Sequence, residues 1–135
     1  MSLRFGNLYK ISQMHNIKSF IYDRLSNDAE LKESVVGIFP NYAQDEEWSP
    51  VIIYSRISET QTNWVIRNAL YQISVRWDKL LENEQIKDRV VWLFNRYKSD
   101  WIHCSIQAIN ESYDKELKQR WIHLTVKFKL VDKNF

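Results

Sequence analysis

The sequence predicts an α+β fold: one domain in the order αβββαββ, with a mainly antiparallel sheet and two helices packed on one face of it. Three observations predict this. Two segments repeat their apolar residues at the helical period, one ahead of a group of strand-like runs and one behind it. The strand-like runs alternate with period two, so each presents one apolar face. Those runs are grouped rather than alternating one for one with helices, which favours an antiparallel sheet over parallel βαβ units.

The first helix follows Asn16, where Ile17, Phe20, Ile21 and Leu25 fall on one stripe and Ser26-Asn27 end it. Asp28 then caps a further short turn, AELKESV. VVGIFP is short and β-branched with Gly37 and Pro40 in it, so it reads as a brief edge strand or extended link. After the acidic QDEEWSP, Pro50 marks the start of VIIYSRI, the first good strand. SETQTN is polar and holds no Gly or Pro, which predicts a loop longer than a tight hairpin uses.

In WVIRNALYQISVRW, Tyr71, Ile73, Val75 and Trp77 share one face while Leu70, Gln72, Ser74 and Arg76 share the other. From Lys79 the period changes: Ile86, Val90, Leu93, Phe94 and Tyr97 form a helical stripe edged by charged residues. WIHCSIQAI and RWIHLTVKFKL close the domain as a hairpin across a polar loop, NESYDKELKQ. On the last strand Ile122, Leu124, Val126, Phe128 and Leu130 face the core, which leaves Trp121, His123, Thr125, Lys127 and Lys129 on the outer face.

A chain of 135 residues holds one ordinary core. MHNIKSFIYDRL resembles a second start at Met14, so residues 1–13 read as an N-terminal arm or an extension foreign to the domain, and residues 14–135 as the domain itself. A net charge of +2 supplies no strong basic field, so nucleic-acid binding would need a local patch. Cys104 is the sole cysteine, which excludes an intrachain disulfide and a thiolate zinc cage and fits a reducing compartment. No apolar run reaches the roughly 18 residues that a bilayer span requires, so no membrane partner is expected.

Catalytic groups that converge are hard to find. His103 and Cys104 are neighbours on a strand and so point to opposite faces, which rules out a Cys–His dyad. With Gly6 and Gly37 as the only glycines there is no phosphate cradle, and no metalloprotease or nucleophile-elbow motif occurs. A hairpin centred on Tyr113 would set His103 opposite His123, with Ser105 facing Trp121, a weak metal site at most because no third ligand has a place. The expectation is therefore no enzyme, no catalytic residues and no cofactor.

Arg120, Trp121, Lys127 and Lys129 interleave an aromatic with cations, as stacking platforms for nucleic acid do. A one-sided sheet shows the same alternation without touching nucleic acid, because its outer face must be polar. Trp121 departs from that plain account: a tryptophan on the open face suggests cover by another subunit or by the N-terminal arm.

The stretches MHNIKSFIYDRLSNDAELKESVVGIFPNY, SPVIIYSRISETQTNW, LYQISVRWDK and YDKELKQRWIHLTVKFKL, in this order, resemble the tail completion or tail terminator proteins of long-tailed bacteriophages. The resemblance runs over nearly the whole chain from Met14, and residues 1–13 have no place in it. It implies a small α+β subunit that forms a ring, commonly a hexamer, at the head-proximal end of the tail tube. Such a ring stops tube growth and presents a surface to the head connector. The implied partners are further copies of the chain, the tail tube protein and the head–tail connector protein, with DNA only as passing cargo. The implied location is the virion tail, and the host bacterial cytoplasm during assembly.

A ring subunit needs two different surfaces that fit each other. The candidates are Glu59, Thr60, Gln61, Thr62, Asn63 and Trp64 in or beside the predicted loop, and Trp121, Lys127 and Lys129 on the outer face. DNA must pass the ring without sticking, so Lys127 and Lys129 are expected at subunit contacts or on the outside. The alternatives are a nucleic-acid-binding module using the outer face of the C-terminal sheet, or another minor tail or head–tail connector protein.

Overall fold

The computed structural model describes residues 16–43, 50–61, 66–77 and 84–131. In chain order they form α1 (Ile17–Ser26), α2 (Ala29–Ser34), β1 (Gly37–Pro40), β2 (Val51–Gln61), β3 (Ile66–Trp77), α3 (Glu84–Phe94), β4 (Tyr97–Lys98), β5 (Ile102–Asp114) and β6 (Gln119–Val131). The sheet runs β1-β2-β3-β6-β5-β4. β1 pairs with β2 in parallel and the remaining pairings are antiparallel. The α+β class, the dominance of antiparallel pairing and the edge position of β1 are as the pattern predicts.

Local chemistry explains the helices. Asn16 accepts the Ser19 N–H at 3.2 Å and starts α1, and Asp28 accepts the Leu31 N–H at 3.1 Å and starts α2. Asp28 has a second role, because Arg89 of α3 donates to both of its carboxylate oxygens, the shortest contact being 2.6 Å. That forked pair ties the cap of α2 to α3, and the Arg89 hydrogen bonds hold the buried Asp28 carboxyl below its ordinary range.

α1 and α3 bring their apolar stripes onto the sheet, where Ile21, Leu25, Val90, Phe94, Ile73, Val75, Leu124 and Phe128 are fully buried. Phe128 is the hub of the aromatic packing. Its ring meets Tyr71 at 5.7 Å, Phe94 at 6.1 Å and Phe20 at 6.2 Å, each edge to face. Removing a ring from such a position typically costs about 3–5 kcal/mol.

Four details differ from the sequence expectation. AELKESV is a true helical element, and Tyr97 leaves the α3 stripe to pair in the two-residue β4, after Arg96 turns the chain with φ 59°. The segment 58–61 is not loop: β2 continues to Gln61, paired with Arg67 of β3. The loop NESYDKELKQ is largely strand, since β5 extends to Asp114 and β6 begins at Gln119. The hairpin is therefore not centred on Tyr113 but turns at residues 115–118.

That last shift moves the whole register. His123 stands opposite Asn110, and His103 stands opposite Lys129. Six steps of β6 separate the two positions, roughly 20 Å at strand rise, so the two imidazoles cannot share a metal ion. Ser105 faces Lys127, and it is Ser112 that faces Trp121.

Candidate functional site: the open face and free edges of the sheet

The face of the sheet away from the helices is not uniformly wet. At its β1–β2 end, Val51 and Ile53 are buried with Ala43, and Phe39 and Trp121 pack against them. Phe39 lies there because Gly37, two residues earlier on the same face, has no Cβ; an added one would meet the ring at 2.5 Å. Trp121 also stacks on His123, with centroids 5.5 Å apart and planes 14° from parallel, and the Arg76 guanidinium lies 5.5 Å from its ring centre. Trp121 is thus half-buried against Val51, Ile53 and His123, where the sequence pattern suggested cover by another subunit or by the N-terminal arm.

Beside it lies a polar network that the sequence did not reveal. His123 Nδ1 is 2.8 Å from Ser74 Oγ and 3.2 Å from Gln72 Nε2, and its Nε2 is 3.0 Å from Ser112 Oγ. Three strands contribute, because the register sets Ser74 on β3 opposite His123 and Ser112 on β5 opposite its neighbour Trp121. Burial pushes the imidazole pKa below its ordinary value, so the ring is neutral at pH 7. Small hydroxyls on separate strands give no sequence signal; only the face alternation on β3 and β6 hints at the cluster.

At the opposite end of the same face, Lys127 and Lys129 are exposed, as the alternation predicts. They are joined by Arg96, Lys98 and His103 around a groove of about 310 Å³. The small net charge concealed this basic corner, since Lys98 is brought to it by the short β4 and Arg96 by the turn before that strand. Cys104 also borders it but is buried, which pushes its thiol up to about 12 and keeps it protonated.

Of the predicted contact residues on the β2–β3 hairpin, Glu59 and Thr60 lie exposed on β2 and Gln61 ends that strand. Glu59 lies between Arg56 at 3.5 Å and Arg67 at 4.0 Å. Thr62, Asn63 and Trp64 fall outside the described residues. Trp121 and the two lysines share a face but sit at its two ends, so the structure does not gather the predicted residues into one patch.

The sheet has two long edges that are only partly covered. β1 pairs with β2 over Val51 to Tyr54, so residues 55–61, paired with β3 on their inner side, have no outer strand among the described residues. β4 pairs with β5 over His103 and Cys104. Beyond them the Ile106 N–H donates to Asn95 Oδ1 at 3.3 Å, and residues 108–114 have no outer strand among the described residues. Ile57, Ile109 and Tyr113, on these uncovered stretches, are about half exposed. Among the described residues, no group of three His, Cys, Asp or Glu stands close enough to hold a metal ion.

No protein-family model matches the chain, and no curated protein matches it. A solved structure does share its fold. A chain of the virion of a native gene transfer agent particle superposes with a TM-score of 0.56, at 14% sequence identity, over 82% of this chain and 91% of that chain. The match takes in nearly all of the other chain, so the two have a common domain architecture.

Proposed function

We propose that this protein is a non-enzymatic structural subunit of a phage-like virion, and more narrowly a tail terminator. In this reading it closes as a ring on the head-proximal end of the tail tube, stops tube growth and provides the joining surface for the head. Its partners are its own copies, the tail tube protein and the head–tail connector protein, and it works in the virion tail after assembly in the host cytoplasm. The observation that carries the reading is the fold shared, over 82% of this chain and 91% of the other, with a chain of a gene transfer agent virion. The likeness of its sequence phrases to tail completion proteins points the same way.

Two unlike free edges also suit a ring, because a head-to-tail contact joins one surface to a different one and closes into a ring when the rotation permits. Removing the gene from the particle-producing element tests the function: electron microscopy should show overlong or headless tails. Joined particles with tails of normal length in its absence would overturn the proposal.

One observation favours a second reading. The corner formed by Arg96, Lys98, His103, Lys127 and Lys129 is the kind of local patch that a nucleic-acid-binding module requires despite a low net charge. Under that reading the chain is monomeric and binds single-stranded or duplex DNA with an affinity that falls steeply as salt rises.

A further inference from the structure

We infer that the subunits join through their sheets, the free stretch of β2 in one copy pairing antiparallel with the free stretch of β5 in the next. The inference rests on the ring reading and names its contact.

Most edges of this sheet are blunted in familiar ways. β1 is four residues long and ends in Pro40, while β4 is two residues long and ends in Lys98. Residues 55–61 and 108–114 are different. They are stretches of equal length without proline or lysine, and residues 108–113 are exposed on both faces although Ile122 and Leu124, their partners on β6, are buried. Unpaired backbone N–H and C=O groups on such an edge form a template for another strand.

The geometry selects a head-to-tail partner. β2 is antiparallel to β3, β3 to β6 and β6 to β5, so β2 and β5 run in opposite directions within one copy. A rotation about an axis near the strand direction preserves those directions, and β2 of one copy then meets β5 of the next as an antiparallel pair. The two stretches also lie at different heights. Ser58, the middle of one, is level through Leu70 and Lys127 with Ser105, whereas Glu111, the middle of the other, is level through Ile122 and Val75 with Ile52.

The offset is about five residue steps, or roughly 17 Å. Closing a sheet on itself requires tilted strands and a stagger of this kind. In the joined sheet, β4 of one copy and β1 of the other flank the new pair, so each blunt end marks where the contact stops. The bulges at Ile57 and Gln107 bend these strands close to the contact, a device that curves sheets toward closure.

Charge distinguishes this partner from a symmetric one. The β5 stretch carries Glu111 and Asp114 and no cation, so two β5 edges would repel. The β2 edge presents the half-exposed guanidinium of Arg56, 3.5 Å from the Glu59 carboxylate, as a cation for the acidic edge. Ile57 on one side and Ile109 and Tyr113 on the other supply apolar area that the contact would bury.

The test uses the full chain. Light scattering should show assembly that grows with concentration, and Ile109→Lys should weaken it at least tenfold while leaving the melting temperature of the monomer unchanged. Thr60→Cys combined with Asn110→Cys should give a ladder of covalent multimers with a short thiol-specific cross-linker, and neither change alone should do so; buried Cys104 does not compete. Dimers from Asn110→Cys alone would show a β5–β5 contact and overturn the inference, as would a chain that stays monomeric throughout. If Ile109→Lys assembles normally while loss of the gene still gives aberrant tails, this contact is wrong and the tail function stands. If loss of the gene leaves tails normal while the ladder forms, the reverse holds.

Discussion

At the scale of single residues, His123 shows what a strand register can do that a motif search does not register. Its imidazole is held by Ser74, Ser112 and Gln72 and stacked under Trp121, and burial depresses its pKa. A histidine whose folded pKa lies below its unfolded value binds its proton more readily in the unfolded chain. Its contribution to stability is complete above the unfolded pKa, about 6.5, and is lost as pH falls from there through the folded pKa. Asp28 is also depressed, but from the carboxylate range, so its contribution fades only in stronger acid. Urea midpoints measured at pH 8, 7, 6 and 5 should therefore decline for the native chain across the histidine range. His123→Gln should be less stable at pH 8 by about 1 kcal/mol for its lost hydrogen bonds, and nearly flat across the same range. An equal slope in both proteins would place the titrating group elsewhere.

At the scale of elements, the β5–β6 hairpin explains where pattern reading stopped. Alternation marks a strand only when one face is buried, and residues 107–113 of β5 are exposed on both, so NESYD reads as loop. The polar stretch 58–61 of β2 misleads for the same reason: Ser58, Glu59 and Thr60 are all exposed, so no buried face marks the strand. Where the core covers one face, as at Ile122 to Leu130 or Tyr71 to Trp77, the sequence pattern and the structure agree. The true turn has its own chemistry. Asp114 Oδ1 accepts the N–H groups of Glu116 at 3.0 Å and Leu117 at 3.2 Å, and Lys118 closes the turn with φ 53°. A side chain in that left-handed region is strained relative to glycine. Lys118→Gly should raise stability by about 0.5–1 kcal/mol and Lys118→Val should lower it, both measured by thermal unfolding. A destabilising glycine would mean that the Lys118 side chain, not its backbone, supports the turn.

At the scale of the whole molecule, the distribution of charge matters more than its sum. The chain carries only +2, yet Arg96, Lys98, Lys127 and Lys129 meet at one corner of the open face, with His103 among them. Sequence alternation places the two lysines there, but not Arg96 and Lys98, because a turn and a two-residue strand leave no periodic trace. Two uses of such a corner differ in what they require. A contact with another subunit or the connector needs complementary carboxylates held at fixed positions, whereas a nucleic-acid contact needs only phosphates and weakens steeply with salt. Lys127→Glu with Lys129→Glu separates them. Both side chains are exposed, so the change should leave thermal stability within about 0.5 kcal/mol of the native chain. For a ring subunit the doubly altered protein should fail to rescue tail joining in particles that lack the native one, while the native chain shows little affinity for duplex DNA at physiological salt. Native binding to DNA that is tight at low salt, lost at high salt and abolished by the two substitutions, with tail joining intact, would make the corner a nucleic-acid site and the second reading the better one.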